Sequence, residues 1–332
     1  MFKHKKLIIG IIVDLALIVL FFYSLERFYS PPNEDMIWGV SFSPEYAQYL
    51  GLDTKEVFRS VLDDYKFKYL RLTARWDKVE SQRGKFDFTD TDYLMNEAAK
   101  RGAKVVLAIG QKTPRWPECN VPAWAPGLSD SEYFSELNIF LQAVTEHYKN
   151  NPALEVWQVE NEPFLAFGAT CRALDDTKLQ NEIKVVKNID SVHPVLVTDS
   201  GELSLWRNTA KAGDIFGTTV YRVVWSKFTG YTGYDWMPSF YYRLRAQWYG
   251  RNPSTAWVAE LQAEPWVATQ TVNVGNVNEQ FKTMNMDRLQ KNLEFAKKTG
   301  FGRGYLWGVE WWYCLKVHGY SDISDYMVNL KK

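Results

Sequence analysis

The chain lacks several features that would each point to a particular chemistry. Its 332 residues hold only three Cys and four His, and His4, His147, His193 and His318 are scattered without the spacing of a metal site. No Gly-x-Ser-x-Gly elbow for a nucleophilic serine occurs. No glycine-rich phosphate loop follows the first strand-like stretch, which argues against a dinucleotide fold. Lys+Arg and Asp+Glu balance at 39 each, so no basic footprint points to nucleic acid. Low-complexity tracts are missing as well. No metal and no cofactor are expected.

Apolar and aromatic residues are plentiful. A hydrophobic content of 46% supports a large buried core. Aromatic residues reach 16%, with 14 Trp. Several follow strand-like stretches, where a flat ring suits the apolar face of another ring, a sugar included.

The first thirty residues read differently from the rest. Lys3, His4, Lys5 and Lys6 precede an apolar run from Leu7 to Tyr23, about as short as a spanning helix can be. Asp14 interrupts the run, at roughly 3 kcal/mol if held at mid-bilayer. The flank Ser24-Leu25-Glu26-Arg27-Phe28 carries no small-x-small cleavage site. The expectation is a cytoplasmic stub and transmembrane signal anchor over 1–30, a linker over 31–35, and a folded body over 36–332 outside the cytoplasm. Secretion after signal-peptide cleavage is the alternative. Cys119 and Cys171 each fall in a loop after a strand, and a disulfide between them would suit that compartment. Three free thiols is the other reading.

Along the body, strand-like and helix-like stretches alternate. Strands are expected at Met36–Val40, Tyr69–Leu72, Lys104–Ile109, Glu155–Val159, Pro194–Thr198, Ile215–Tyr221, Ala256–Glu260 and Gly304–Gly308. Helices are expected at Lys55–Tyr65, Thr91–Arg101, Ser131–Lys149, Thr177–Asp190, Phe240–Tyr249 and Asn278–Thr299, with a short weak one at Ser204–Ala212. Glycines at helix ends, as in Lys100-Arg101-Gly102 and Thr299-Gly300, supply stop signals. Alternation of this kind implies a parallel sheet. Eight such units in one body of this length imply an α/β fold, a single (β/α)8 TIM barrel.

The working face of such a barrel lies at the C-terminal strand ends. The fourth strand runs into Glu160-Asn161-Glu162-Pro163, and the seventh into Glu260-Leu261-Gln262-Ala263-Glu264. Buried strands seldom end in paired carboxylates unless their tips face a wet pocket. Two carboxylates at two strand ends are what hydrolysis of a glycosidic bond needs.

These residues carry a family resemblance. The chain resembles the clan A glycoside hydrolases, the (β/α)8 retaining β-glycosidases, in which an Asn-Glu pair ends strand 4 and a second Glu ends strand 7. The resemblance implies Glu162 as general acid/base, Glu260 as nucleophile and Asn161 as a contact to the sugar 2-hydroxyl. It also implies that Arg71 orients the nucleophile, that Tyr221 donates to it, and that Trp307 is a platform under the sugar. Glu160, Gln262, Glu264 and Trp311 are further candidate substrate contacts. Glu160 is also the alternative acid, and Glu264 the alternative nucleophile. The segment Arg75-Trp76-Asp77-Lys78-Val79-Glu80 with Gly84-Lys85-Phe86-Asp87-Phe88 is similar to xylanases and thermophile-type β-galactosidases. Val105–Gly110 departs from the xylanases, which carry a His-rich stretch there. The implied activity is retaining hydrolysis of an extracellular or cell-envelope oligo- or polysaccharide. A transglycosylase or a non-catalytic carbohydrate-binding barrel are the alternatives. The expected partners are a carbohydrate and, through the N-terminal helix, a membrane.

Overall fold

Eight parallel strands close on themselves. They are β1 (Ile37–Ser41), β2 (Tyr69–Thr73), β3 (Lys104–Ile109), β4 (Leu154–Val159), β5 (Val195–Asp199), β6 (Ile215–Val220), β7 (Trp257–Gln262) and β8 (Arg303–Trp307). Each pairs in parallel with its sequence neighbours, and β1 pairs with β8, so the barrel has no edge. The computed structural model describes residues 12–17, 20–166, 168, 171–268 and 276–331.

Helices α1 (Thr54–Asp63), α2 (Thr89–Lys100), α3 (Asp130–Tyr148), α4 (Asp176–Ile189), α5 (Ser239–Trp248), α6 (Met286–Lys298), α7 (Val309–Val317) and α8 (Asp322–Asn329) pack outside the strands. Their starts are capped by local side chains: Asp53 for α1, Asp175 for α4, and a reciprocal Ser129–Glu132 box for α3.

Two differences from the expected elements have clear causes. The expected helix at 204–212 is only a single turn, Thr209–Lys211. Trp206 interrupts it with a left-handed φ of 61°, its buried indole donating to the Ser200 carbonyl at 2.7 Å. The expected helix at 278–299 is split into Val277–Gln280 and α6, because Asn285 caps α6 by accepting from the Arg288 amide at 2.9 Å.

The period of two along each strand sorts its side chains. Leu70, Leu72, Val105, Leu107, Trp157 and Val159 join the large core beneath the helices. Val106, Val156, Leu196, Trp257 and Tyr305 form a smaller cluster on the barrel axis, with Tyr69 against it. Below it Arg303 stacks on Tyr69 and Trp257, at 4.2 and 4.4 Å, and is held by Glu155 at 2.6 Å. One step up the inward face from Tyr69 comes Arg71, and from Tyr305 comes Trp307.

β7 breaks this rhythm. Val258 and Leu261 oppose Gly304 and Leu306 of β8, so three steps face two, and Val258 and Glu260 oppose Thr218 and Thr219 of β6. The extra residue is a bulge, and it reverses the alternation beyond it. Trp257, Glu260 and Gln262 therefore all point inward.

The expected membrane span, Leu7–Tyr23, lies in part outside the described residues. Among the described residues no helix is long and apolar enough to cross a membrane, so the transmembrane helix is without structural support. The segment that follows it docks on the barrel. Glu26 caps α5, accepting from the Ser239 hydroxyl at 2.7 Å and the Ser239 amide at 3.1 Å, and Arg243 donates to the Tyr29 carbonyl at 3.1 Å.

Gly39 on β1 leaves the space that the Tyr305 ring fills. A Cβ there would sit 2.6 Å from the Tyr69 carbonyl oxygen and 2.7 Å from the ring. Gly39→Ala is expected to cost about 1–3 kcal/mol through overpacking, read as a lower midpoint in thermal unfolding.

Candidate active site

Arg71 organises the mouth of the barrel. Its three guanidinium nitrogens donate to the Gln158 side-chain oxygen at 2.7 Å, to Glu260 Oε1 at 2.6 Å and to Asn161 Oδ1 at 2.8 Å. The second oxygen of Glu260 accepts from the Tyr221 hydroxyl at 2.9 Å. Strands β2, β4 and β7 and the end of β6 thus meet at one carboxylate, which faces a cation and a phenol.

The end of β4 is built to aim a second carboxylate. Glu160 and Glu162 both adopt left-handed backbone, with φ of 61° and 45°. Such conformations persist only where surrounding contacts over-determine them. The Glu160 amide donates to the Ile109 carbonyl at 2.9 Å, the Asn161 amide to the Lys112 carbonyl at 2.8 Å, and the Glu162 amide to the Thr198 hydroxyl at 3.1 Å. The result buries Glu162 with Thr219 donating to its Oε1 at 3.3 Å. Burial raises the proton affinity of Glu162 well above the usual carboxylate range, Glu118 and Glu260 add to it, and Lys112 opposes it. Glu162 and Glu260 are 6% and 5% exposed, so both lie beneath the loops.

The loop after β3 covers them. It runs over Gln111–Asn120 and is tied down by a disulfide between Cys119 and Cys171. Lys112 donates to the carbonyls of Glu162 and Leu165, at 3.1 and 2.9 Å, and pairs with Glu118 at 3.2 Å. Arg115 lies between two rings, 3.8 Å from Tyr46 and 4.2 Å from Trp307, and forms ion pairs with Glu264 and Glu310. The inward face of Trp307 is therefore covered by a guanidinium.

Three expected substrate contacts have other work. Glu160 is fully buried, and its two oxygens accept from the amides of Gln111 and Lys112, both at 2.8 Å. Gly110 makes room for it: a Cβ there would come within 2.3 Å of the carboxylate. Gln262 accepts from the amides of Arg222 and Val223 at 2.8 and 2.9 Å and returns a bond to the Val223 carbonyl at 2.6 Å, pinning the loop after β6. Trp311 is fully buried in α7, donating to the Gln280 side chain at 2.6 Å. Glu264 stays in the mouth but is engaged by Arg115. Sequence reading assigned no role to Lys112, Glu118 or Glu182. Of these only Glu118 carried a signal, its place beside Cys119.

Residues 71–182 match the family described as Glycosyl hydrolase family 10. The chain has the sequence signature and fold of the clan A glycoside hydrolases. Mannan endo-1,4-beta-mannosidase F of Aspergillus fumigatus is 25% identical over 120 residues, 33% of this chain and 26% of that protein. Beta-galactosidase BbgII of Bifidobacterium bifidum is 30% identical over 104 residues, 26% of this chain and 15% of that protein. The chain thus spans a minor part of the curated relatives it matches. Among solved structures, xylanase 10B from Thermotoga petrophila, in complex with xylobiose, superposes with a TM-score of 0.53 at 13% identity, covering 82% of both chains. Exo-beta-1,4-mannosidase Op5Man5 from an Opitutaceae bacterium gives 0.55 at 16% identity, covering 82% of this chain and 51% of that one. At these identities the structures show the shared fold alone.

Behind this site lies a second acidic pair. Glu182 of α4 is buried against Glu160. Burial raises its carboxyl well above the usual range, with the Glu160 charge adding to it, and burial takes Glu160 up to about 7. Both proton affinities are higher folded than unfolded, so the stabilising contribution is complete below the ordinary carboxylate range and is lost as pH rises from there through about 7 and, for Glu182, beyond. Glu182→Gln is expected to keep the shape of the side chain and remove the Glu182 share of that loss. Denaturation midpoints taken at about pH 6 and about pH 9 should differ less in the variant than in the parent. An equal fall in both would exclude the pair as its source.

Proposed function

We propose that the chain is a retaining β-glycoside hydrolase working by double displacement. One observation carries this reading: the two mouth carboxyls occupy opposite environments. Glu260 accepts from a guanidinium and a phenol, an arrangement suited to a nucleophile that carries negative charge. Glu162 is buried among other carboxylates, an arrangement suited to an acid that holds its proton. Glu260 attacks the anomeric carbon while Glu162 protonates the departing oxygen. Water, deprotonated by Glu162, then releases the sugar from Glu260. In this reading Asn161, fixed by Arg71, contacts the sugar 2-hydroxyl, and Trp307 takes a ring face once Arg115 has moved off it.

The relatives' names support a β-1,4-linked mannoside or xyloside, and β-galactosides, as the first substrates to try. The basic residues ahead of Leu7–Tyr23 and the Cys119–Cys171 bridge support a site outside the cytoplasm, with the N-terminal segment as anchor. The deep burial of both carboxyls favours a second reading, transfer to an acceptor sugar in place of water.

The test is turnover on aryl β-glycosides and β-linked polysaccharides, with and without acceptor sugars. Glu162→Ala is expected to lose about 10²–10⁴-fold in rate on substrates with poor leaving groups, while on aryl glycosides with good leaving groups azide should restore turnover and give a β-glycosyl azide. Glu260→Ala should lose more, and azide should rescue it as the α product. Proton NMR of the first product should show β configuration. Glycan binding without turnover by the parent would replace the hydrolase with a binding barrel.

A further inference from the structure

A third carboxylate enters the mouth and has no part in the two-carboxylate reaction. Glu118 sits in the loop after β3, one residue before the disulfide. Its backbone is left-handed, with φ of 68°, and is fastened on three sides. Its amide donates to the Arg115 carbonyl at 2.8 Å, while its carbonyl accepts from the Thr113 amide at 2.9 Å and the Asn120 side chain at 3.0 Å. The side chain is 12% exposed and faces Lys112 at 3.2 Å. Lys112 in turn is bonded to the carbonyl of Glu162 itself at 3.1 Å. A cross-linked loop with a left-handed residue thus holds a titratable carboxyl, through Lys112, against the backbone of the acid.

We propose that Glu118 is a positioning residue for the reaction, whose charge keeps the proton on Glu162. The inference rests on the hydrolase reading of Glu162.

The charges facing Glu162 come from three sides. Glu118 and Lys112 reach it from the loop after β3, Glu260 from β7 and Asp199 from β5. Glu260 is already matched by Arg71 at 2.6 Å. Asp199 is tied to the Thr209 hydroxyl at 2.5 Å and the Ser200 amide at 2.9 Å. Among the described residues the counter-charge of Glu118 is Lys112, and the Asn161 side chain also favours its ionised form. Glu118 is itself pushed up to about 7 by burial, against the pull of Lys112 and with the push of Glu260. Below that pH Glu118 is neutral and adds nothing. Wherever Glu118 is ionised, its charge opposes release of the neighbouring proton. The device extends the acid-competent range of Glu162 toward alkaline pH.

The experiment titrates the Glu162 carboxyl directly in the full chain. Glutamate labelled with ¹³C at the carboxyl is used, with the Glu162 signal assigned by its loss in Glu162→Gln. In Glu118→Gln, which keeps the shape and removes the charge, the Glu162 midpoint should fall by about tenfold in proton affinity or more. The alkaline limb of kcat/KM should move down with it, with a larger loss above about pH 7 than below. An unmoved Glu162 midpoint in folded Glu118→Gln, judged by circular dichroism, overturns the proposal. Should that variant not fold, Glu118→Asp draws the charge back by one methylene. It should give a smaller shift of the same sign, and no shift counts against the proposal. A midpoint that falls in a protein with no turnover of any glycoside would uphold the role of Glu118 and sink the hydrolase reading.

Discussion

The structure depends most on the buried contact between Arg71 and Glu260. A guanidinium inside a barrel is costly to desolvate and is stable there only with all its partners present. Arg71 finds them on β4 and β7, strands distant in sequence, so its three bonds exist only when the barrel is closed in register. Removing one member of such a buried pair typically costs about 3–5 kcal/mol, because the other is left charged and unmatched. The same contact that orients the proposed nucleophile therefore holds the barrel's mouth together. The bulge in β7 is what allows it. Without the extra residue, the alternation that sends Trp257 inward would send Glu260 outward into the helix layer.

A second dependency runs through the end of β4. Two left-handed residues other than glycine, Glu160 and Glu162 on either side of Asn161, cost about 1–3 kcal/mol each. They are held by bonds from β3, β5 and the loop after β3. Glu160 makes the reciprocal bonds, taking the amides of Gln111 and Lys112. Its buried carboxylate sets the start of the very loop that carries Lys112, Arg115 and Glu118 over the site. The mouth is thus assembled outward from β4: first Glu160 fixes the loop, then the loop surrounds Glu162 with charge.

Much of this was legible in the residues. Alternating apolar runs located all eight strands, β3 with the observed limits; Asn161-Glu162-Pro163 follows the end of β4, whereas β7 runs two residues past Glu260, to Gln262. Each side chain that the structure engages elsewhere has its own physical cause. A run ending in Glu160-Asn161-Glu162 does not say which carboxylate turns into the barrel, because that depends on the sign of φ and not on the period of two. Gln262 looked like a mouth residue by spacing, yet an amide with both a donor and acceptors can lock a loop, and it does. Trp311 sat in an aromatic cluster that reads as a wall, but the helix that buries it begins at Val309, directly after the strand. Lys112 was invisible because a loop held by a cross-link has no periodicity to read, and Glu118 showed only through its place beside Cys119.

The covering of Trp307 bears on how a sugar would enter. A ring stacking on that indole must displace the Arg115 guanidinium, which lies 4.2 Å from it. The cation–π contact itself is small, about 0.5–2 kcal/mol, and a stacked sugar face replaces part of it. The ion pairs are the larger obstacle, because Glu264 and Glu310 are buried and would be left without their counter-charge. Hydroxyl groups of an arriving sugar can donate to those carboxylates and offset part of that loss, whereas an apolar ligand of the same shape cannot. Arg115 thus makes entry conditional on a ligand that brings both a flat apolar face and several hydroxyl donors, which is the chemistry of a pyranose ring.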